Sequence, residues 1–196
     1  GDDSYLQSNL GLVSGLDRRY GVDLNWTVNE KIAAYAMLGR EKIDSRTRGS
    51  STFTTADWVG RVEDDFETYG AGVNAQFTDK IGVNLDYSYG AGNSRTEITG
   101  AGAGIFPVVK SELSSFKAGV TYGFSERTDL RLTWWYETLK TSDWSYDAQP
   151  AAMPTVLGLG VDPYNYDVNY VTLSVSYRFG GPKAPGTIVF DDVSQM

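Results

Sequence analysis

The stretch Tyr69–Tyr89, YGAGVNAQFTDKIGVNLDYSY, holds the pattern that decides the fold. Apolar or aromatic residues alternate with small or polar ones on both sides of a polar turn at residues 78–80. Successive side chains of a β-strand point to opposite faces of the sheet. The stretch is therefore predicted to be a β-hairpin with one apolar face and one polar face.

The same pattern recurs along the chain, in strands predicted to begin near Tyr20, Phe116, Leu130 and Val171. Similar short polar turns lie at residues 29–31 and 125–127, whereas long loops are predicted roughly at 49–64, 99–109 and 145–166. Short turns at one end and long loops at the other are typical of an outer-membrane β-barrel. We predict an all-β antiparallel transmembrane barrel with seven clear strands in this chain.

The apolar face could contact lipid or a second sheet, because a β-sandwich produces the same alternation. Two features favour lipid. The apolar-patterned stretches have the length of a tilted membrane strand, about 9–11 residues. In addition, Trp26, Phe77, Phe124 and Phe179 all lie on the apolar face at the short-turn end, as in an interfacial aromatic girdle. The strand at 32–43 is apolar on both sides, and the sequence does not assign its polar face.

The composition excludes several classes of function. The net charge of −8 argues against a nucleic-acid partner, which requires clustered basic residues. The chain has no cysteine and no histidine, so it has no disulfide, no thiolate metal site, no covalent haem attachment and no Ser-His-Asp triad. We therefore expect neither an enzyme nor a cofactor of its own. The longest apolar run, at 32–38, is too short for a membrane-spanning helix.

Several segments resemble the C-terminal portion of the decahaem-associated outer-membrane proteins of the MtrB/PioB type. The similarity extends to Phe179. It is carried by these segments in this order: LGLVSGLDRRYGVDLNWTVNEKIAAYAMLGREKIDS (10–45), Asp57-Trp58 followed by Glu63-Asp64-Asp65, GVNLDYSYG (82–90), LRLTWWYE (130–137), SDWSYD (142–147), VLGLG (156–160) and YNYDVNYVTLSVSYRF (164–179).

This resemblance implies a much larger barrel, with well over twenty strands. Such a barrel sheathes a periplasmic multihaem c-type cytochrome in its lumen and docks an extracellular multihaem cytochrome at its loops. Haem is then carried by the partner and not by this chain. The implied location is the lipid bilayer of the bacterial outer membrane, with long loops extracellular and with short turns and the C-terminus periplasmic.

The chain divides into three parts on this interpretation. Residues 1–17 are expected to be an extracellular loop or a weak strand, 18–179 the transmembrane strands, and 180–196 a flexible periplasmic tail. A weak first strand would give eight strands, and hence a small complete barrel acting as an anchor or adhesin. A diffusion porin is a further alternative.

Two sets of side chains are candidate sites. Lys117, Arg131, Trp135, Glu137 and Arg178 are predicted to face the lumen and contact a cytochrome, although a polar wall with water and cross-strand ion pairs explains them equally well. Carboxylate oxygens are ligands for Ca²⁺. This makes Glu63, Asp64 and Asp65, with nearby Glu67, a candidate calcium site, with a solvated acidic rim as the alternative. Asp143, Asp147 and Asp162 form a weaker candidate of the same kind.

Overall fold

The structure is a computed structural model, and it describes residues 1–4, 9–52, 54–143 and 165–179. These ranges contain nine β-strands in one antiparallel sheet. The strands are Asp2–Ser4 (β1), Gly11–Asn29 (β2), Ile32–Gly49 (β3), Trp58–Thr78 (β4), Ile81–Gly100 (β5), Gly104–Ile105 (β6), Val109–Gly123 (β7), Thr128–Ser142 (β8) and Tyr166–Tyr177 (β9). In the described part of the chain, no helix is long and apolar enough to cross a membrane.

The sheet order is β1-β2-β3-β4-β5-β7-β8-β9, with the short β6 paired beside β5. The prediction of an all-β antiparallel fold with seven clear strands is confirmed by β2, β3, β4, β5, β7, β8 and β9. Residues 30–31, 79–80 and 124–127 connect neighbouring strands at the short-turn end. Residues 50–57 and 101–108 lie at the opposite, long-loop end, whereas 144–164 and the tail 180–196 fall outside the described residues.

The strands extend further towards the long-loop end than the sequence pattern indicated. β2 begins at Gly11, within the predicted N-terminal segment 1–17, and β1 pairs with it. β4 begins at Trp58, so the predicted loop 49–64 is shortened to 50–57. The reason is that the alternation does not stop at the end of the apolar stretch. Charged residues replace apolar ones on one face while the backbone ladder continues.

The apolar face has no protein layer over it. No apolar side chain in the described ranges is buried, and Leu173 is 72% exposed. A β-sandwich would cover such a face with a second sheet. The described sheet therefore lacks the core of a soluble β-protein and has the surface of a membrane strand array, which is stabilised by lipid contact.

The polar face has the exposure pattern expected of the concave, inner face of a curved sheet. On the central strands its side chains are half-buried where those of the apolar face are exposed, as along β3. Curvature towards one face crowds the side chains there and spreads those on the other. The register also resolves the ambiguous strand, because Tyr35 and Met37 of β3 lie opposite the polar-face glycines Gly72 and Gly70. We call the two sides the inner face and the outer face.

Two rings of aromatic residues bound the apolar band of the outer face. At the short-turn end, Trp26, Phe77 and Phe124 are 66–67% exposed and Phe179 is 92% exposed. At the other end, Tyr20, Tyr69, Tyr89 and Tyr136 form an upper tyrosine ring, in which the Tyr69 and Tyr89 rings stack with centroids 6.1 Å apart.

The spacing of the two rings fits a membrane. Phe77 and Tyr69 are eight residues apart, which corresponds to about 26 Å along a strand that rises about 3.3 Å per residue. A tilt of about 40° reduces this to about 20 Å, close to the apolar band of about 25 Å in outer-membrane barrels. β4 and β5 continue beyond the upper tyrosine ring to Trp58 and Gly100, so the sheet extends well past the band.

Candidate functional site

A single register row crosses the inner face from β2 to β9. Each of its residues lies directly opposite the next on the neighbouring strand. We call this set the inner row: Asn25, Tyr35, Gly72, Asp86, Lys117, Trp135 and Tyr170. Two of the residues predicted to face the lumen, Lys117 and Trp135, are therefore adjacent members of it.

One half of the inner row is a hydrogen-bonded group centred on Asp86. The Tyr35 hydroxyl reaches over Gly72 and donates to Asp86 Oδ1 at 2.9 Å. Asn84 Nδ2 donates to Asp86 Oδ2 at 3.0 Å. A Cβ at Gly72 would overlap the Tyr35 ring and would lie 2.6 Å from Asp86 Oδ1. The bond between Tyr35 and Asp86 therefore depends on glycine at position 72.

The other half of the inner row is aromatic and cationic. Lys117 Nζ lies 5.0 Å from the centroid of the Trp135 ring, within cation–π distance. The Trp135 indole nitrogen donates to Ser115 Oγ at 2.7 Å, and the ring meets Tyr170 edge-on with centroids 6.4 Å apart. These contacts fix the orientation of the indole. The half-buried Trp135 and exposed Tyr170 rings then offer a preformed aromatic surface to anything inside the sheet.

The remaining predicted lumen residues also lie on the inner face, but at other levels. Glu137 accepts a hydrogen bond from the Tyr166 hydroxyl at 2.7 Å on the long-loop side of the inner row. Arg178 forms an ion pair with the buried Asp129 at the short-turn end, and Arg131 lies between that pair and the row. The five residues thus share a face but do not form one cluster.

Sequence reasoning missed Tyr35, Asp86 and Tyr170 as members of the site. The doubly apolar pattern of β3 hides the face of Tyr35. One signal in the sequence does indicate this face. Gly70 and Gly72 lie on the same face of β4, and a glycine without a side chain leaves room for a large side chain on the paired strand.

The acidic residues near the start of β4 are not arranged as a calcium site. They lie within the strand and not in a loop, with Glu63 and Asp65 on the outer face and Asp64 on the inner face. Arg61 pairs with Glu63 at 2.7 Å, and Arg40 pairs with Asp65 at 2.6 Å. The three carboxylates therefore cannot converge on one ion. Across the described ranges, no group of three or more side chains is placed to hold a metal ion.

The loop at 50–57 has its own polar contact. Asp57 accepts hydrogen bonds from the hydroxyl and the backbone amide of Ser51, which hold the pKa of its carboxyl below the usual value. Asp143, one of the weaker calcium candidates, directly follows β8, and its companions Asp147 and Asp162 lie outside the described residues.

Comparison with known proteins gives both sequence and structural matches. The family model described as "outer membrane beta-barrel porin, MtrB/PioB" matches residues 1–179. "Outer membrane protein MtrB" of Shewanella baltica (strain OS185) is 26% identical over 178 residues, which are 90% of this chain and 26% of that protein. The chain thus spans about a quarter of the length of this curated relative.

Two solved structures share the fold. The structure titled "Copper transporter OprC" superposes with a TM-score of 0.57 at 11% identity, covering 89% of this chain and 29% of that one. The structure of BauA, the ferric preacinetobactin receptor from Acinetobacter baumannii, gives a TM-score of 0.51 at 15% identity, covering 83% and 28%. In both cases the sheet described above matches a section of a larger chain.

Proposed function

The chain belongs to the MtrB/PioB family of outer-membrane β-barrels, and from that premise we propose that it forms part of the wall of a large barrel around a cytochrome. In this proposal the barrel encloses a periplasmic multihaem c-type cytochrome and positions it for electron transfer across the outer membrane. The family is one of porins and not of enzymes. The haem belongs to the partner.

The observation that carries the proposal is the inner row. It presents aromatic rings and a lysine, held in place by their neighbours, on the concave side of a sheet. The space inside such a sheet depends on strand number. Seven long strands occupy a chain that spans 26% of MtrB. At that spacing the whole relative would have well over twenty strands, and barrels of about 22 strands already hold a plug domain.

The small-barrel alternative is less well supported. An eight-stranded barrel would close its last strand onto its first. Within the described residues, β9 pairs with β8 alone and β2 pairs with β1 and β3. Within those residues β1 covers the edge of β2 only at residues 14–16, and the outer edge of β9 is unpaired, so further strands can pair with both sides of the sheet.

In this proposal the barrel insulates and positions the cytochrome, and the haems of the cytochrome carry the electrons. A continuous backbone ladder satisfies the amide and carbonyl groups in lipid, so the wall excludes water and lipid from the guest. We place the short turns in the periplasm and the long loops outside, as is general in outer-membrane barrels. An extracellular multihaem cytochrome would then dock at the long-loop end.

The test is to extract the full-length polypeptide from native outer membranes in mild detergent and to record the absorbance spectrum of the proteins that co-purify with it. We expect a haem Soret band in fixed ratio to the barrel, carried by a separate cytochrome. A colourless barrel from membranes that contain multihaem cytochromes, conducting ions in a planar bilayer, would overturn the proposal in favour of a diffusion porin.

Replacing Trp135 with leucine is expected to weaken retention of the cytochrome about tenfold, because buried aromatic anchors dominate protein interfaces. The measurement is the haem-to-barrel ratio after washes of increasing salt concentration. Trp134→Leu is the matched control, since the adjacent indole lies on the outer face and contacts Phe116. Equal retention in the two variants, with both barrels folded, would count against the inner row as the contact surface.

A further inference from the structure

The outer face beyond the upper tyrosine ring carries a patch of charge on β2, β3 and β4, which we call the outer ladder. It contains six cations and four carboxylates: Arg18, Arg40, Lys42, Arg46, Arg48 and Arg61, with Asp44, Glu63, Asp65 and Glu67. On the inner face at the same level, Arg19 stands among Asp17, Glu41 and Asp64. On β2, β3 and β4 at this height, the positive excess is therefore confined to the outer face, in a chain with a net charge of −8. Glu97 of the neighbouring β5 lies opposite Arg61 at the border of this patch.

Half of the cations in the outer ladder are paired. Arg40 and Lys42 contact Asp65 at 2.6 and 3.2 Å, and Arg61 contacts Asp44 and Glu63. The other three, Arg18, Arg46 and Arg48, form no ion pair with any residue of the described ranges.

The register places like charges face to face. Arg18 lies directly opposite Lys42, and Arg46 lies directly opposite Arg61. Like charges on directly opposed residues destabilise a sheet. Asp65 contacts Lys42, and Asp44 and Glu63 contact Arg61, but no carboxylate of the described ranges forms an ion pair with Arg18, Arg46 or Arg48. An anion supplied from outside the chain would therefore stabilise these three arginines.

The height of the outer ladder indicates where that anion comes from. Arg40 is two residues beyond Leu38, which lies opposite Tyr69 of the upper tyrosine ring, and Arg48 is ten residues beyond it. At about 3.3 Å per residue and a tilt of about 40°, these cations stand about 5 to 25 Å beyond the ring. Interfacial tyrosines mark the headgroup level. The ladder thus begins among lipid headgroups and continues outward.

We propose that the outer ladder binds the phosphate groups of a phosphorylated glycolipid in the outer leaflet, through Arg18, Arg46 and Arg48. Guanidinium groups bind phosphate oxygens in a bidentate manner. The three arginines lie at different distances from the membrane, so they match a headgroup that carries phosphates at more than one distance. A glycerophospholipid carries its phosphate at a single level and matches them less well. This inference rests on the orientation given in the proposed function, with the long loops outside.

The variant that tests it replaces Arg18, Arg46 and Arg48 with glutamine and leaves every ion pair of the outer ladder intact. The matched control replaces Arg95, Lys110 and Lys140 with glutamine. These three lie on the same outer face, in the register rows of Asp44, Lys42 and Arg40, respectively. None of them faces a like charge, since Arg95 lies opposite Glu63 and Lys140 lies opposite Glu112.

The full-length barrel with its partner is extracted in mild detergent, and bound glycolipid is counted by native mass spectrometry. Each basic residue near an anionic lipid surface contributes roughly a factor of five in affinity. We therefore expect the triple variant to bind purified lipopolysaccharide roughly a hundredfold more weakly than the wild type. The control variant should keep wild-type affinity, and millimolar inorganic phosphate should not displace the lipid.

Equal lipid retention by the triple variant and the control, or a wild-type barrel free of glycolipid, would overturn the inference. Displacement by inorganic phosphate alone would also overturn it, by identifying a simple anion site. The haem-to-barrel ratio is measured in the same samples. Loss of lipid with haem retained leaves the cytochrome proposal standing, whereas absence of haem from every sample counts against that proposal alone.

Discussion

Replacing Leu85 with arginine is expected to lower the free energy of unfolding of the membrane-embedded barrel by about 2–4 kcal/mol. Leu85 lies on the outer face, midway along the apolar band of β5, and is 42% exposed. No protein layer covers it, so in the membrane its surroundings are lipid. An arginine there would place a guanidinium near the bilayer midplane, where a charge is most costly.

The measurement is urea unfolding of the full-length barrel in lipid vesicles, followed by tryptophan fluorescence. Asn74→Arg is the control, because Asn74 lies at nearly the same height on the neighbouring strand but faces inward. We expect that variant to unfold within about 1 kcal/mol of the wild type, since charge is tolerated on the inner face. A larger loss in Asn74→Arg than in Leu85→Arg would reverse our assignment of the two faces.

Replacing Gly72 with valine is expected to displace the Tyr35 ring and break its hydrogen bond to Asp86. A Cβ at this position would overlap the Tyr35 ring and lie 2.6 Å from Asp86 Oδ1, closer than van der Waals contact allows. Forcing extra carbon into a packed site costs about 1–3 kcal/mol. The loss of stability is measured as above, and displacement of the ring appears as a changed environment of Tyr35 in a crystal or cryo-electron microscopy structure.

Two further variants make this prediction specific. Gly39→Val changes an inner-face glycine whose added Cβ would meet its nearest atom at 3.9 Å. We expect little loss of stability there, because valine is itself favoured in strands. Tyr35→Ala combined with Gly72→Val should recover much of the stability lost by Gly72→Val alone, since the clashing ring is gone. Simple addition of the two single effects would show that the ring is not the source of the cost.

Much of the fold could be predicted from the sequence because alternation is a local property. The hairpin at 69–89 establishes which side chains share a face without reference to any other strand. The five predicted lumen residues accordingly do lie on one face. The shift from apolar to charged residues is also visible in the sequence, but by itself it predicts the end of a strand. In the structure, β4 continues through Asp65 and Glu63 to Trp58.

Local alternation and turn composition are thus enough to predict the seven long strands, their short turns, the apolar and polar faces of most of them, and the aromatic ring at the short-turn end. The face of Tyr35, its contact with Asp86 across Gly72 and the opposition of Arg18 to Lys42 follow only from how distant strands pair. The difference arises from the period of a strand. A register slip of one residue reverses the faces and is opposed by burial and lipid contact, whereas a slip of two residues preserves every face and changes every partner. The alternating pattern thus specifies on which side of the sheet a side chain lies, and the pairing of distant strands specifies at which height it lies and which side chains it meets.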